Sequence, residues 1–593
     1  MTDVPVVWWS LNPEAPPRGC YWDHTLLEDV FSGAAWRVPG NFEWRHHEIR
    51  DVSWPLPDGA GAVFVVPARQ NVSYVDELNA ALGRYEWVLV IGTGDEERTF
   101  PWHLLTHPRR QVWAMGAYPE TPGVDRALGS GYSPGFPARV DPYRLRTPGR
   151  LDVFFCGQDT HERRHAAVNA ARAAAPADRR LVRPTDAFLA DGSGDRGGLD
   201  AESYALAMSE TKVAPCPSGP ASPDSFRLYE ALEAGAVPVA DGSTPTGPVT
   251  GYWTSVFGEL PPFPVLDDWD ELAEHVDRVR RTWPVEATRV HAWWLQWKRR
   301  LAHDLHRAVS DLSGADPERG ASPADHVTAL VIAAPINSHP STEMTEEVIE
   351  SLRAQLPGAE IIIVCDGVRP GMEHKAADYE EYLFRLTRLC AGWRNVVPVI
   401  LDDWGHQANA LRAGLELVTT PLLLFVEHDT PVVGEIDWAG VCAVVESGSV
   451  NMVRLHHETR IGDYHRHMML DPHERLYGTT DESPGVPLIR TFQWSQRPHL
   501  ASTRFYADRV MPYFGHDSRT YVEWIMHGVV QHGLERGDEQ TWAEWRVAIY
   551  HPSGDNIQRS THLDGRAGAS LEEAVWAYDG PPPPGAPPPS RKA

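Results

Sequence analysis

Apolar runs that predict buried strands alternate with helical patterns along both halves of the chain. In the first half the runs cover residues 62–66, 87–91, 111–116 and 151–155. Short runs without a polar alternation are typical of strands that are buried on both faces. Strands that alternate with helices predict parallel sheets covered by helices, in which ligands bind beyond the carboxyl ends of the strands.

The same succession begins again in the second half. The strand patterns VTALVIAAPI, EIIIVCDG, VVPVILDD and PLLLFVEHD are interleaved with the helical patterns TEEVIESLRAQL and HQANALRAGLELV. The helices are predicted from spacing, because Val348, Leu352 and Leu356 share one face. Residues 267–309 predict a long, Trp-rich helical region with a break at Pro284. Residues 311–325 are rich in Gly, Pro, Ser and charged residues, and they predict a linker.

The length and the charge of the chain narrow the class of protein. At 593 residues the chain exceeds what one hydrophobic core normally serves, so at least two domains are expected. It has 81 acidic and 54 basic residues, and a net charge of -27 argues against a nucleic-acid partner. Scattered cysteines, no signal-peptide pattern and no long apolar run predict a cytoplasmic protein without a transmembrane segment, with its cysteines in the cores.

The strand pattern PLLLFVEHDTP runs directly into Glu427, His428 and Asp429. Side chains alternate along a strand, so the two carboxylates point the same way and can share a divalent cation, Mg²⁺ or Mn²⁺. Such a cation neutralises a nucleotide diphosphate, which an acidic chain cannot hold without help. The alternative is a solvated strand end with a chance pair of charges.

The block HQANALRAGLELVTTPLLLFVEHDTP resembles the GT-A fold of family 2-like glycosyltransferases, which carry Asp-x-Asp at the equivalent strand end. The resemblance implies that Asp429 is the principal metal ligand and Glu427 its companion, although Glu427 departs from the family's Asp. It also implies that Asp366 contacts the nucleoside of the donor. Asn409 lies where the family has a donor-binding helix.

Two later residues complete the prediction for the second half. Glu523 lies among apolar and aromatic residues in YVEWIMHG, a setting that suits a general base, and the resembled family has an acidic residue in a comparable helix. His551 is the candidate for a late metal ligand, as in several GT-A enzymes. The alternatives are an exposed acidic residue on an amphipathic helix and a structural histidine.

The most informative pattern of the first half is a polar loop that leads into a helix at SFRLYEALEAG. Backbone N–H groups at the start of a helix favour a diphosphate, and Arg227 in the first turn can add a bidentate contact. Glu230, one turn later, can accept hydrogen bonds from ribose hydroxyls. The alternative is an ordinary surface helix on which Arg227 and Glu230 form an ion pair.

This block resembles the donor-binding half of the exostosin family of GT-B glycosyltransferases, beginning with Ser225, Arg227 and Glu230. FFCGQDTHERRHAAVNAA resembles the family's strand, glycine loop and helix, which implies that Arg163 or Arg164 reaches the donor phosphates. A retaining GT-B enzyme has a second glutamate eight residues after the first, where this chain has Pro238. The analogy therefore implies an inverting reaction.

The predicted fold class is α/β, with an N-terminal GT-B arrangement of two Rossmann-like subdomains followed by a C-terminal GT-A fold. The predicted domains are an exostosin-like module at 1–310 (acceptor side 1–148, donor side 149–265, closing helices 266–310), the linker 311–325, a GT-A module at 326–566 and a proline-rich tail at 580–593.

The predicted function is a bifunctional, inverting glycosyltransferase. It takes nucleotide-diphosphate sugars, with UDP-sugars favoured, and acts on a glycan or glycoprotein acceptor, with Mn²⁺ or Mg²⁺ in the C-terminal domain. In one alternative a single module is catalytic and the other binds or docks. In the other alternative the protein is a carbohydrate-binding or assembly protein without catalysis.

Overall fold

The computed structural model describes residues 2–11, 22–33, 36–38, 42–140, 150–185, 198–315, 322–458, 461, 466–471, 473–477, 485–536, 539–552 and 557–563. The chain forms two compact units. The first contains Met1–Asp325 and Leu383–Pro398, and the second contains His326–Tyr382 and Val399–Ala593. The predicted tail at 580–593 and residues 316–321 of the predicted linker lie outside the described residues.

The first unit contains two parallel sheets. The six-stranded sheet has the order β2-β1-β3-β4-β5-β6, with β1 Thr2–Trp9, β2 Phe42–Ile49, β3 Gly61–Pro67, β4 Trp87–Thr93, β5 Arg110–Met115 and β6 Arg126–Leu128. The five-stranded sheet has the order β13-β10-β9-β7-β8, with β7 Leu151–Gln158, β8 Arg180–Thr185, β9 Thr211–Cys216, β10 Val237–Asp241 and β13 Val265–Leu266. A two-stranded hairpin joins β11 Ser243–Thr244 to β12 Gly247–Pro248. The parallel sheets that the alternating pattern predicts are confirmed.

Helices cover these sheets. Those of the first unit are Trp22–Phe31, Ala68–Asn71, Val75–Leu82, Phe136–Arg139, Glu162–Ala174, Ala201–Ser209, Phe226–Glu233, Tyr252–Phe257, Leu272–Thr282 and Val285–Ser313. The predicted Trp-rich helical region is confirmed as the last two of these, which meet at Trp283 and Pro284. The second of them continues into the predicted linker and ends at Ser313, where Gly314 adopts a left-handed conformation.

The second unit contains a mixed sheet with the order β16-β15-β14-β17-β21-β18-β22-β20-β19. Its strands are β14 Val327–Ala333, β15 Glu360–Cys365, β16 Val396–Ile400 (of which residues 399–400 belong to this unit), β17 Leu422–Glu427, β18 Met452–Leu455, β19 Arg475–Tyr477, β20 Val486–Arg490, β21 His499–Ser502 and β22 Val547–Tyr550. β15, β14 and β17 are parallel, and β21 pairs antiparallel with β17. The carboxyl ends of the three parallel strands therefore lie at one edge, where ligands bind in such sheets.

The helices of the second unit include those that the sequence predicts beside the parallel strands. The described helices of eight residues or more are Glu343–Gln355, Ala376–Gly392 (of which residues 376–382 belong to this unit), His406–Leu415, Trp438–Glu446 and Val522–Arg536. The third of these packs closely on β14 through Gly414, because a Cβ added there would lie 2.3 Å from the Leu330 side chain. The helix and the strand β17 that follows it are thereby fixed beside β14.

The described part of the chain contains no helix long and apolar enough to cross a membrane. Its five described cysteines are all buried thiols, as expected of core residues, and they are Cys156, Cys216, Cys365, Cys390 and Cys442.

Candidate functional site

Two carboxylates and one imidazole converge at the carboxyl end of β17. Glu427, Asp429 and His562 each offer one ligand atom, and these atoms all lie within 4.8 Å of one another. His428, between the two acidic residues, turns away, because its Nδ1 lies 3.1 Å from the Ile332 carbonyl oxygen. Residues 428 and 429 lie in a turn that Thr430 N–H closes by donating to Glu427 O at 3.1 Å, and this turn leaves the two carboxylates on one side.

A segment near the end of the described chain brings His562 to this place. Residues 557–563 pair with the chain that follows Asp429: Thr561 N–H donates to Pro431 O at 3.1 Å, and Leu563 N–H donates to Asp429 O at 2.8 Å. His562 Nδ1 lies 3.7 Å from Asp429 Oδ2. Two carboxylates and one imidazole are a donor set that suits a divalent cation such as Mn²⁺.

The late metal ligand predicted from the sequence is His551, whereas the histidine in this group is His562. His551 follows β22 and is buried, and its ring centroid lies 4.8 Å from that of His456. His456 Nε2 in turn lies 3.2 Å from Glu458 Oε2. His562 gives no signal in the sequence, because residues 557–563 have neither a strand nor a helix pattern.

Asp366 lies at the same edge of the sheet, one residue after β15. It is 4% exposed, and its Oδ1 accepts hydrogen bonds from the backbone N–H groups of Gly367 at 2.9 Å and Gly405 at 2.7 Å. Burial raises the pKa of Asp366 from 3.8 to about 6, although these hydrogen bonds act in the opposite direction. The carboxyl is therefore held in one orientation at some cost in stability.

The predicted base, Glu523, lies in the first turn of the helix Val522–Arg536. It is half-buried, and its Oε2 accepts a hydrogen bond from Gln496 N–H at 2.9 Å. Asn409 is half-buried in the helix His406–Leu415. The roles of these two residues stay predictions.

Gln407, which the sequence analysis did not single out, connects parts of this site. Its Nε2 donates to Glu427 Oε1 at 3.2 Å, and its Oε1 accepts from Val522 N–H at 2.8 Å. A polar residue near the start of a helix was the only signal of it in the sequence, and that signal is common.

In the first unit, the two predicted phosphate-binding arginines have partners within the protein. Arg163 forms an ion pair with the fully buried Asp241, and its Nη1 donates to Asp267 O at 2.8 Å. Arg164 is buried, and its Nε donates to Ser218 O at 3.1 Å. Burial lowers the pKa of Arg164 to about 10.

The helix Phe226–Glu233 is buried rather than a surface helix, and Arg227 and Glu230 are 3% and 2% exposed. Arg227 donates to the Cys156 carbonyl oxygen with Nη2 at 3.0 Å, and its guanidinium lies over the Phe155 ring. The alternative of an exposed Arg227–Glu230 ion pair is therefore wrong.

Glu230 is also held from within, since Tyr204 donates to its Oε2 at 2.7 Å and the Ser133 hydroxyl donates to its Oε1 at 2.5 Å. Burial raises the pKa of Glu230 above its ordinary value. Ser225 precedes the helix, and its Oγ is buried and has no hydrogen-bond partner among the described residues. Four of the predicted donor-binding residues, Arg163, Arg164, Arg227 and Glu230, thus make contacts that hold the first unit together.

No protein-family model matches the sequence, and no curated protein matches it. Among solved structures, TarS from S. aureus is similar at 11% identity with a TM-score of 0.24, covering 40% of this chain and 37% of that chain. The mannosyltransferase PcManGT from Pyrobaculum calidifontis, in complex with GDP-Man and Mn²⁺, is similar at 13% identity with a TM-score of 0.25, covering 44% of this chain and 65% of that chain.

GalNAc-T7 with UDP, GalNAc and Mn²⁺ is similar at 10% identity with a TM-score of 0.25, covering 42% of this chain and 46% of that chain. The chain thus spans between 37% and 65% of the length of these three structures. TM-scores this low carry no conclusion about fold or function.

Proposed function

We propose that the second unit transfers a sugar from a nucleotide-diphosphate donor, with a divalent cation held by Glu427, Asp429 and His562. The convergence of these three side chains at the carboxyl edge of a parallel sheet carries the proposal. The net charge of -27 adds to it, because an acidic chain needs a cation to hold a diphosphate. Mn²⁺ fits the group better than Mg²⁺, since imidazole is a poor ligand for Mg²⁺.

The other residues at this edge take the roles that transfer requires. Asp366 presents an oriented carboxyl to the nucleoside, and Asn409 lies on the donor side. Glu523 takes the proton of the acceptor hydroxyl as that oxygen bonds to the anomeric carbon and the bond to the diphosphate oxygen breaks, which inverts the configuration. The bound cation supplies the positive charge that stabilises the departing diphosphate. A UDP-sugar donor and a glycan or glycoprotein acceptor remain the favoured substrates.

The test uses the purified full chain. Mn²⁺ binding is measured directly, and release of nucleoside diphosphate is measured over a panel of nucleotide sugars. Asp429→Ala should abolish Mn²⁺ binding and lower turnover by about a hundredfold or more, since such a cation contributes several kcal/mol to the transition state. Asp437→Ala is the matched control: Asp437 caps the helix Trp438–Glu446 by accepting from Gly440 N–H at 2.9 Å, so this variant should lose stability and keep turnover. Unchanged Mn²⁺ affinity in Asp429→Ala would overturn the proposal.

The same variant separates the bifunctional protein from the alternatives. If the first unit is a second transferase, Asp429→Ala keeps a turnover that does not depend on metal, and loss of all turnover indicates one active unit. The internal partners of Arg163, Arg227 and Glu230 favour one active unit, with the first unit binding or docking. A wild-type protein that binds donors and never turns them over would indicate a binding protein instead.

A further inference from the structure

One buried glutamine connects the cation group to the helix that carries the predicted base. Gln407 is 6% exposed and lies in the first turn of the helix His406–Leu415. Its Nε2 donates to Glu427 Oε1 at 3.2 Å, and its Oε1 accepts from Val522 N–H at 2.8 Å and from the side-chain amide of Gln496. All these residues belong to the second unit.

These partners admit one orientation of the Gln407 amide. Its oxygen faces two N–H donors, and its NH₂ group faces a carboxylate. A flipped amide would put NH₂ against the Val522 N–H and its oxygen against the carboxylate, which loses both of these hydrogen bonds. Burial makes such a loss costly, since an unpaired buried polar group keeps none of its hydration. Glu427 and Val522 therefore hold the Gln407 amide in one orientation.

Gln407 reaches Glu523 by two short routes. Val522, whose N–H it accepts, is the first residue of the helix and the direct neighbour of Glu523. Gln496, whose side chain bonds to Gln407, uses its backbone N–H to hold Glu523 Oε2 at 2.9 Å. The contacts fix both the start of the helix and the orientation of its carboxylate.

We propose that Gln407 is a positioning residue that links cation binding at Glu427 to the placement of Glu523. This rests on the proposed cation-dependent transfer. Without a cation, Glu427 and Asp429 repel each other, and with a cation they are drawn together. Gln407 follows Glu427 Oε1 in this change and carries Val522 and Gln496 with it. The base is then correctly placed when the cation, and with it the donor diphosphate, is present.

The test measures hydrogen exchange of the amides of residues 522–530 in the full chain, with and without Mn²⁺. In the wild type, Mn²⁺ should slow this exchange. In Gln407→Leu, Mn²⁺ should still bind through Asp429 and His562, and its effect on residues 522–530 should vanish. Without Mn²⁺, exchange at Val522 should be about fivefold faster in the variant, which corresponds to the loss of one hydrogen bond.

Gln355→Leu is the matched control, because Gln355 also makes two hydrogen bonds within the second unit, donating to Gly434 O at 2.8 Å and accepting from Trp438 Nε1 at 3.0 Å. It should keep the Mn²⁺ effect. If Gln407→Leu does not fold, Gln407→Asn keeps the amide but is too short to reach both Glu427 and Val522, so the same loss is expected.

The outcomes separate the two proposals. If Mn²⁺ binds the wild type and leaves exchange at residues 522–530 unchanged, or if Gln407→Leu keeps the Mn²⁺ effect, the link through Gln407 is refuted and the proposed function stands. If Mn²⁺ does not bind the wild type, the proposed function fails and the link falls with it.

Discussion

Replacing Asp366 by Asn tests whether a buried carboxyl at the sheet edge is kept at the expense of stability. Burial raises the pKa of Asp366 from 3.8 to about 6. Above pH 4 the unfolded chain gives up this proton, whereas the folded chain keeps it until about pH 6. Folding stability therefore falls as the pH rises through this window and levels off above it. At about 1.4 kcal/mol for each pKa unit, the cost at pH 8 is about 3 kcal/mol.

Asn cannot ionise, and its Oδ1 can still accept from Gly367 and Gly405. It replaces the second carboxyl oxygen by an NH₂ group in a buried place, and we expect this change to cost about 1 kcal/mol at every pH. Asp366→Asn should therefore be about 2 kcal/mol more stable than the wild type at about pH 8, and less stable at about pH 4. The change of sign with pH identifies the carboxyl as its cause.

The assay is urea denaturation at several pH values, read by amide hydrogen exchange in β14 and β15, which reports on the second unit alone. Asp378→Asn, an exposed aspartate of the same unit, is the control and should show little change at either pH. A stability difference for Asp366→Asn that does not vary with pH would refute the reasoning, as would a variant that is less stable at about pH 8.

Three further predictions concern single residues. His562→Ala should weaken Mn²⁺ binding by about tenfold or more, whereas His551→Ala should leave it unchanged; calorimetric titration checks both, and the reverse order would contradict the assignment of ligands. Glu523→Gln should lower kcat by about a hundredfold with little change in KM for the donor, because the base acts only on the acceptor proton. A rise in the donor KM as large as the fall in kcat would instead indicate a binding role. Gly157→Ala should destabilise the first unit by about 2 kcal/mol or more, because its φ is +155° and an added Cβ would lie 1.9 Å from Arg227 Nη2; thermal unfolding measures this, and wild-type stability would contradict it.

The sequence predicted the parts of the fold that depend on local patterns. The strands that lead to Asp366 and Glu427 are buried on both faces, so each gives an unbroken apolar run. The sequence pattern did not predict β1 or β2, and each has its own local reason. β1 contains Pro5, a residue that argues against a strand, and β2 is a half-exposed edge strand whose sequence, FEWRHHEI, has no apolar run.

The residues of the site were likewise predictable only where a local pattern reports them. Glu427 is the last residue of β17 and Asp429 lies in the turn that follows, so both are visible in the sequence as acidic residues at the end of an apolar run. His562 depends on backbone pairing between residues 557–563 and the chain after Asp429, which no local pattern reports. Gln407 depends on three partners from separate parts of the chain.

The carboxylates of the two units differ in their partners, and the partners indicate which carboxylates have a structural role and which a functional one. In the first unit, Asp241 pairs with Arg163, and Asp152 is held by Arg179 and Lys212 at 2.8 and 2.9 Å. Each of these carboxylates has a permanently charged partner, which offsets the cost of burying it.

At the edge of β17, two carboxylates instead share an imidazole, which is charged only when protonated, and a neutral amide. Adding positive charge gains little at Asp241, which Arg163 already neutralises, and it gains more where two carboxylates converge, as Glu427 and Asp429 do. The same reasoning explains why the arginines of the first unit are poor candidates for a donor phosphate. A diphosphate would have to compete with Asp241 for Arg163, whereas Glu427, Asp429 and His562 together offer a cation two carboxylates and one imidazole.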